Sequence, residues 1–127
     1  MLARLDHVIL AVADLDAAAR STSRLLGRSP SWRGEHPSAG TANALFRLEN
    51  TTLELLSPAG EGPTGEALRR WLAARGEGPV GLAFGTDDAA ACRAQASFSR
   101  ARFSARPCMA AHKAMRYAAG NLSSPSS

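Results

Sequence analysis

A histidine at position 7 and a glutamate at position 54 are the residues of this chain best placed to do chemistry. His7 opens the apolar run Val8-Ile9-Leu10-Ala11-Val12, and Glu54 lies within Thr51-Thr52-Leu53-Glu54-Leu55-Leu56. A carboxylate flanked by leucines is costly to bury without a partner, so Glu54 is the most informative acid here. An imidazole with a carboxylate suits a borderline divalent cation such as zinc, iron, nickel or manganese. Such an ion would act as a Lewis acid. Plainer roles stand beside these. A histidine at a strand start can be structural, and Glu54 can pair with Arg47, a neighbour across a hairpin. His36, just before Pro37, either shapes a loop or contacts a substrate or metal. Asn43 satisfies either backbone groups or a ligand. Cys108 and His112 have ligand-like spacing, but two further ligands are missing.

The elements that must carry these residues can be read in order. Val8 to Val12 is rich in β-branched residues and reads as a buried strand, with His7, Ile9 and Ala11 on one face. Asp14 is a suitable N-cap. Leu15, Ala18, Ala19, Thr22, Leu25 and Leu26 follow at helical spacing, Gly27 stands at C′ and Pro30 prevents continuation. Trp32–Pro37 predicts a short strand or loop, since Pro37 disfavours a central ladder position. Asn43–Leu48, a turn at Glu49-Asn50 and Thr51–Leu56 predict a hairpin, with Thr52, Glu54 and Leu56 sharing a face. A breaker-rich loop from Ser57 to Pro63 precedes a helix from Thr64 or Gly65 through Leu68, Trp71 and Leu72 to Gly76. Val80–Thr86 is again strand-like, and Asp87-Asp88 caps another alanine-rich helix. Strand, acidic cap and helix have recurred, which predicts an internal repeat.

The chain has 127 residues, 45% of them apolar and 20% charged, which suits one globular domain. No run reaches the roughly 18 apolar residues of a membrane span, and no secretion signal is apparent. The two cysteines make no disulfide framework, so a reducing cytoplasm is the expected location. The net charge of +4 hides an asymmetry. Residues 1–88 hold nine basic and eleven acidic residues, a net −2, while the last 39 carry six cations and no acid. These cations are interspersed with Ala and Ser, and few rings are available for stacking. A break in composition is therefore expected rather than a nucleic-acid arm.

Asp6-His7-Val8 through Asp14-Leu15-Asp16, a helix, and Leu53-Glu54-Leu55 together resemble the vicinal-oxygen-chelate superfamily. That group includes glyoxalase I, bleomycin-resistance proteins and extradiol dioxygenases. Gly34-Glu35-His36-Pro37-Ser38-Ala39-Gly40-Thr41-Ala42-Asn43 is similar to its glyoxalase-like branch. The resemblance implies an α+β fold, a βαβββ module followed by a second module, whose curved sheets form a metal-holding cleft. It implies His7 and Glu54 as metal ligands, Glu54 or a bound water as proton acceptor, and His36, Asn43 and Arg47 as substrate contacts. The implied cofactor is a divalent metal, and the implied partners are a small-molecule substrate and a second copy in a homodimer.

Residues 1–95 are expected to form the glyoxalase-like domain, with a first module at 4–56 and a partial second module at 79–95. Gly81 then stands where the second module would supply a histidine, and no acid follows Asp88. Residues 96–127 read as an atypical basic tail, partly disordered over Asn121–Ser127, as though the end were truncated or read in a shifted frame. The enzyme expected is a metal-dependent lyase, isomerase or dioxygenase-type protein acting on a small oxygenated metabolite. The alternatives are a metal-free binding protein of bleomycin-resistance type or an inactive truncated product.

Overall fold

The computed structural model describes residues 2–86, 88, 103–106 and 116–119. The chain opens in the expected βαβββ order: β1 (Leu2–Ala11), α1 (Leu15–Leu26), β2 (Trp32–His36), β3 (Thr41–Arg47) and β4 (Thr52–Pro58). Next come α2 (Pro63–Arg75), β5 (Gly78–Thr86) and two four-residue strands, β6 (Phe103–Arg106) and β7 (Arg116–Ala119). Among the described residues, seven strands form one sheet in the order β2-β3-β4-β1-β5-β7-β6. β1 runs parallel to β4 and antiparallel to β5. The α+β architecture is the one expected, and the second module is the smaller among the described residues.

β6 and β7 lie in the segment read from sequence as a tail. Their serines, alanines and arginines carry little intrinsic strand signal. Pairing with an existing edge supplies the order, as Leu82 to Gly85 of β5 align with Ala119 to Arg116. The helix expected after Asp88, the disorder expected at the end, and Cys92, Cys108 and His112 lie outside the described residues.

Local chemistry explains how α1 begins and ends. The Asp14 side chain accepts from the Ala17 backbone N–H at 3.0 Å, and Gly27 adopts the left-handed conformation, returning its N–H to Ser23. α1 packs on one face of the sheet, where Val12, Ala19, Ala44, Phe46 and Leu55 form the larger buried cluster. α2 covers part of the opposite face, seating Leu68 against Ala11 and Leu56 with Ile9, Trp71, Leu72 and Val80 around them. Among the described residues, no helix is long and apolar enough to cross a membrane.

The β2–β3 turn docks onto the start of α2 backbone to backbone. Gly65 donates its N–H to the Ala39 carbonyl at 2.8 Å, and Ala59 donates to Gly40 at 2.8 Å. A Cβ on Gly65 would fall 2.0 Å from the Gly40 carbonyl oxygen, and one on Gly62 would fall 2.4 Å from the Ala39 carbonyl carbon. Gly65→Ala should therefore destabilise the fold by about 2 kcal/mol or more, although alanine is the better helix former. A thermal midpoint equal to or above that of the parent protein would contradict this close contact.

Candidate functional site

Pairing register decides which side chains meet. His7 aligns with Thr52, Ile9 with Glu54 and Ala11 with Leu56, so these residues share one face. Across the hairpin, Leu45 aligns with Glu54 and Asn43 with Leu56. On the outermost pair, Gly34 aligns with Asn43 and His36 with Thr41. His7, Glu54, Asn43 and His36 thus step diagonally across β1, β4, β3 and β2 on the face that α2 only partly covers.

Three of the four are in contact. His7 Nε2 is 3.0 Å from Glu54 Oε2, and Asn43 Nδ2 donates to Glu54 Oε1 at 2.9 Å. The fourth, His36, is half-buried at the strand end, with its ring centroid 6.3 Å from that of Trp32. Arg47 aligns with Thr52, and its exposed position keeps it at the rim. Its backbone is tied instead, with N–H to Ser31 Oγ and the carbonyl to the Arg28 guanidinium.

The sequence reading missed Asp6. Its carboxylate lies 2.7 Å from His7 Nδ1, so both imidazole nitrogens face carboxylates. Only the doubly protonated ring can donate to both. Burial, the largest single influence on His7, favours the neutral ring. The hydrogen bonds and charges of Glu54 and Asp6 together outweigh it, and the pKa is held above the ordinary 6.5. The only available signal was adjacency, since a carboxylate beside a histidine often orients it. Thr41 was also missed. Its hydroxyl and Asn43 Oδ1 are buried without a partner.

A raised folded-state pKa fixes the sign of the pH dependence. The stability contributed by His7 is fully present below about pH 6.5 and is lost as pH rises through the higher folded value. Asp6→Asn should move that loss to lower pH, as read from urea midpoints across a pH series. Midpoints that change with pH identically in Asp6→Asn and the parent protein would count against the Asp6 contact.

The donor set suits a metal in kind. A nitrogen and an oxygen converge on a shared, largely buried spot, and Asn43 adds a buried oxygen with an unused lone pair. The neighbouring strand contributes less. Gly81 aligns with Ile9 and Ala83 with His7, so β5 brings no donor beside the pair. No group of three or more His, Cys, Asp or Glu forms a metal cluster among the described residues.

A βαβββ module with a histidine and a glutamate meeting on the sheet face that α2 partly covers defines a protein of the vicinal-oxygen-chelate class. Residues 5–118 match the family model of the glyoxalase-like domain, and the chain belongs to that family. The chain is 42% identical over 62 residues to the ethylmalonyl-CoA/methylmalonyl-CoA epimerase of Cereibacter sphaeroides. Those residues are 49% of this chain and 46% of that protein, so the match spans about half the length of the curated relative. Among solved structures, the methylmalonyl-CoA epimerase of Streptomyces coelicolor in complex with 2-nitronate-propionyl-CoA superposes with a TM-score of 0.71. It is 28% identical, over 86% of this chain and 80% of its own. A methylmalonyl-CoA epimerase in complex with methylmalonyl-CoA and ammonium gives a TM-score of 0.69 at 30% identity, over 81% and 74% of the two chains.

Proposed function

We propose that the chain binds a short acyl-CoA thioester against the His7–Glu54–Asn43 cluster and moves the proton on C2, which is isomerase chemistry. The observation that carries this reading is the contact of His7 with Glu54 on the sheet face that α2 partly covers. The names of the relatives narrow the substrate class, since those relatives are epimerases of CoA thioesters.

A thioester carbonyl acidifies the adjacent C2–H. Glu54, or a water it orients, takes that proton while the C2–H electrons pass into the enolate. Glu54 then releases its proton to solvent, and protonation of the other face of the planar carbon by a solvent-derived proton inverts the centre. Return to the same face is visible only as isotope exchange. Asn43 holds Glu54 Oε1, so the carboxylate is fixed in orientation before substrate arrives. Asp6 holds His7 Nδ1 and keeps Nε2 directed at the reaction face. His7 and Glu54 would hold a divalent ion, which would supply a Lewis acid for the thioester oxygen. His7 must lose its Nε2 proton before it can ligate, so metal uptake should tighten as pH rises.

The test is deuterium incorporation at C2 of methylmalonyl-CoA in heavy water, with and without added cobalt or manganese, followed by mass spectrometry. Exchange above the enzyme-free rate in both C2 configurations supports the reading. A second reading, binding without turnover, is favoured by Gly81 and Ala83 on β5, which add no polar group beside His7. It predicts saturable binding of the thioester with no exchange. Neither exchange nor binding would end both.

A further inference from the structure

A separate feature lies on the other side of the sheet. Between α1 and β2 runs a shallow groove of about 300 Å³, walled by Asp16, Arg20, Ser23 and Arg24 of α1, by Pro30, and by Arg33 of β2. Three arginines and one aspartate line it. Asp16 already has its partner, with Oδ1 2.5 Å from Arg33 Nη2. The Arg33 hydrogen bond, then the charges of Arg33 and Arg20, hold the Asp16 carboxyl below its ordinary range. Arg20 and Arg24 are four residues apart on one helix face, where like charges repel. The groove is thus a cationic concentration in a stretch, residues 1–88, whose net charge is −2. Its size exceeds that of a lone phosphate, and Ser23 adds a hydroxyl.

The strand edge beside the groove is also unusual. Trp32 adjoins Arg33 but points to the face that carries the His7–Glu54 cluster, in register with Leu45 and Glu54. Its indole lies over Gly34, where a Cβ would stand 1.9 Å from Cη2, and the residue is 46% exposed. A planar group passing over this edge would meet a ring on one side and guanidinium groups on the other. β2 is two strands from β4, about 10 Å at about 4.8 Å per strand. A long, flexible ligand arm spans that distance.

From the arginines and the groove, with the Trp32 ring across the strand edge, we infer that the α1–β2 groove is a subsite for the phosphates of a nucleotide. On the acyl-CoA reading proposed above, on which this identification rests, these are the phosphates of the adenosine end. Arginine is the side chain suited to such groups, because its planar fork matches phosphate oxygens two at a time.

The probe is adenosine 3′,5′-bisphosphate, titrated into the full chain and followed by calorimetry, with adenosine and inorganic phosphate alongside. The expected result is saturable binding of the bisphosphate that weakens at least about tenfold in Arg20→Ala/Arg24→Ala and weakens with added salt. Adenosine should bind the two proteins equally. For the thioester, the double variant should raise KM with kcat unchanged, since the arginines do not touch the reacting carbon. These side chains are exposed, so an unchanged melting temperature is the folding control. Equal affinity of the double variant and the parent for the bisphosphate would overturn the subsite. So would inorganic phosphate binding as tightly as the bisphosphate, which would mark a general anion site. Arginine-dependent binding of the bisphosphate, with no binding or exchange of methylmalonyl-CoA, would uphold the groove and end the acyl-CoA reading instead.

Discussion

Glu54→Gln should lower C2 exchange at least about 100-fold while the protein stays folded. The lower bound follows from the usual contribution of a positioned general base. Glutamine keeps the shape of the side chain and can still accept from Asn43 through its oxygen, but it cannot take a proton. It also turns an amide toward His7 Nε2, where a carboxylate oxygen now lies 3.0 Å away. The side chains of His7 and Glu54 are only 13% and 12% exposed, so the lost contact is poorly replaced by water. Stability should fall by about 1–3 kcal/mol, and His7, left with Asp6 alone, should titrate at lower pH than in the parent protein. Exchange at the parental rate in a folded Glu54→Gln protein would remove Glu54 from the chemistry. A parental His7 titration curve, observed by NMR, would remove the pairing itself.

Phe46→Ala should be the most destabilising single truncation among the described residues, costing about 3–5 kcal/mol. Phe46 is 0% exposed and sits in the α1-side cluster with Val12, Ala19, Ala44 and Leu55. Its neighbours lie on strands and on a capped helix, so the vacated space cannot readily collapse. Against a total stability of about 5–15 kcal/mol for a domain of this kind, the variant should unfold at much lower urea concentration. Leu25→Ala is the natural control. Leu25 is 85% exposed and should change stability by about 0.5 kcal/mol or less. A Phe46→Ala midpoint close to that of Leu25→Ala would mean that the α1 face is not the main core.

The first module was legible because its signals are local. Asp14, Gly27 and Pro30 bound α1 by capping chemistry, and period-2 alternation put His7 and Glu54 on definite faces before any pairing was known. Register was not legible. The diagonal that joins His7, Glu54 and Asn43 depends on how three separate strands align, which no local pattern encodes. Arg47 illustrates the difference, since it is near Glu54 along the hairpin yet aligned with Thr52. Asp6 escaped because its role is defined only by the rotamer of its neighbour. β6 and β7 escaped because each has a single strand former, Phe103 or Tyr117, among arginine, serine and alanine, which pair there without preference. The arginines of the α1–β2 groove are scattered from position 20 to position 33, and only packing α1 against the sheet gathers them.

The placement of β1 has a consequence for how the chain assembles as it is made. Of the described strands, β1 leaves the ribosome before the others, yet it ends at the middle of the sheet, between β4 and β5. It cannot complete one edge until residues 52–56 have emerged, nor the other until residues 78–86 have. Until then Val8, Leu10 and Ala11 belong to a strand with open edges, and long-range pairing of this kind is slow to form. α1, by contrast, can form early, because its caps lie within it and beside it. A nascent chain halted before residue 78 would present β1 to any other strand in reach, including that of a second ribosome-bound copy. The residue that anchors the site would then stand on the segment most exposed to mispairing during birth of the protein.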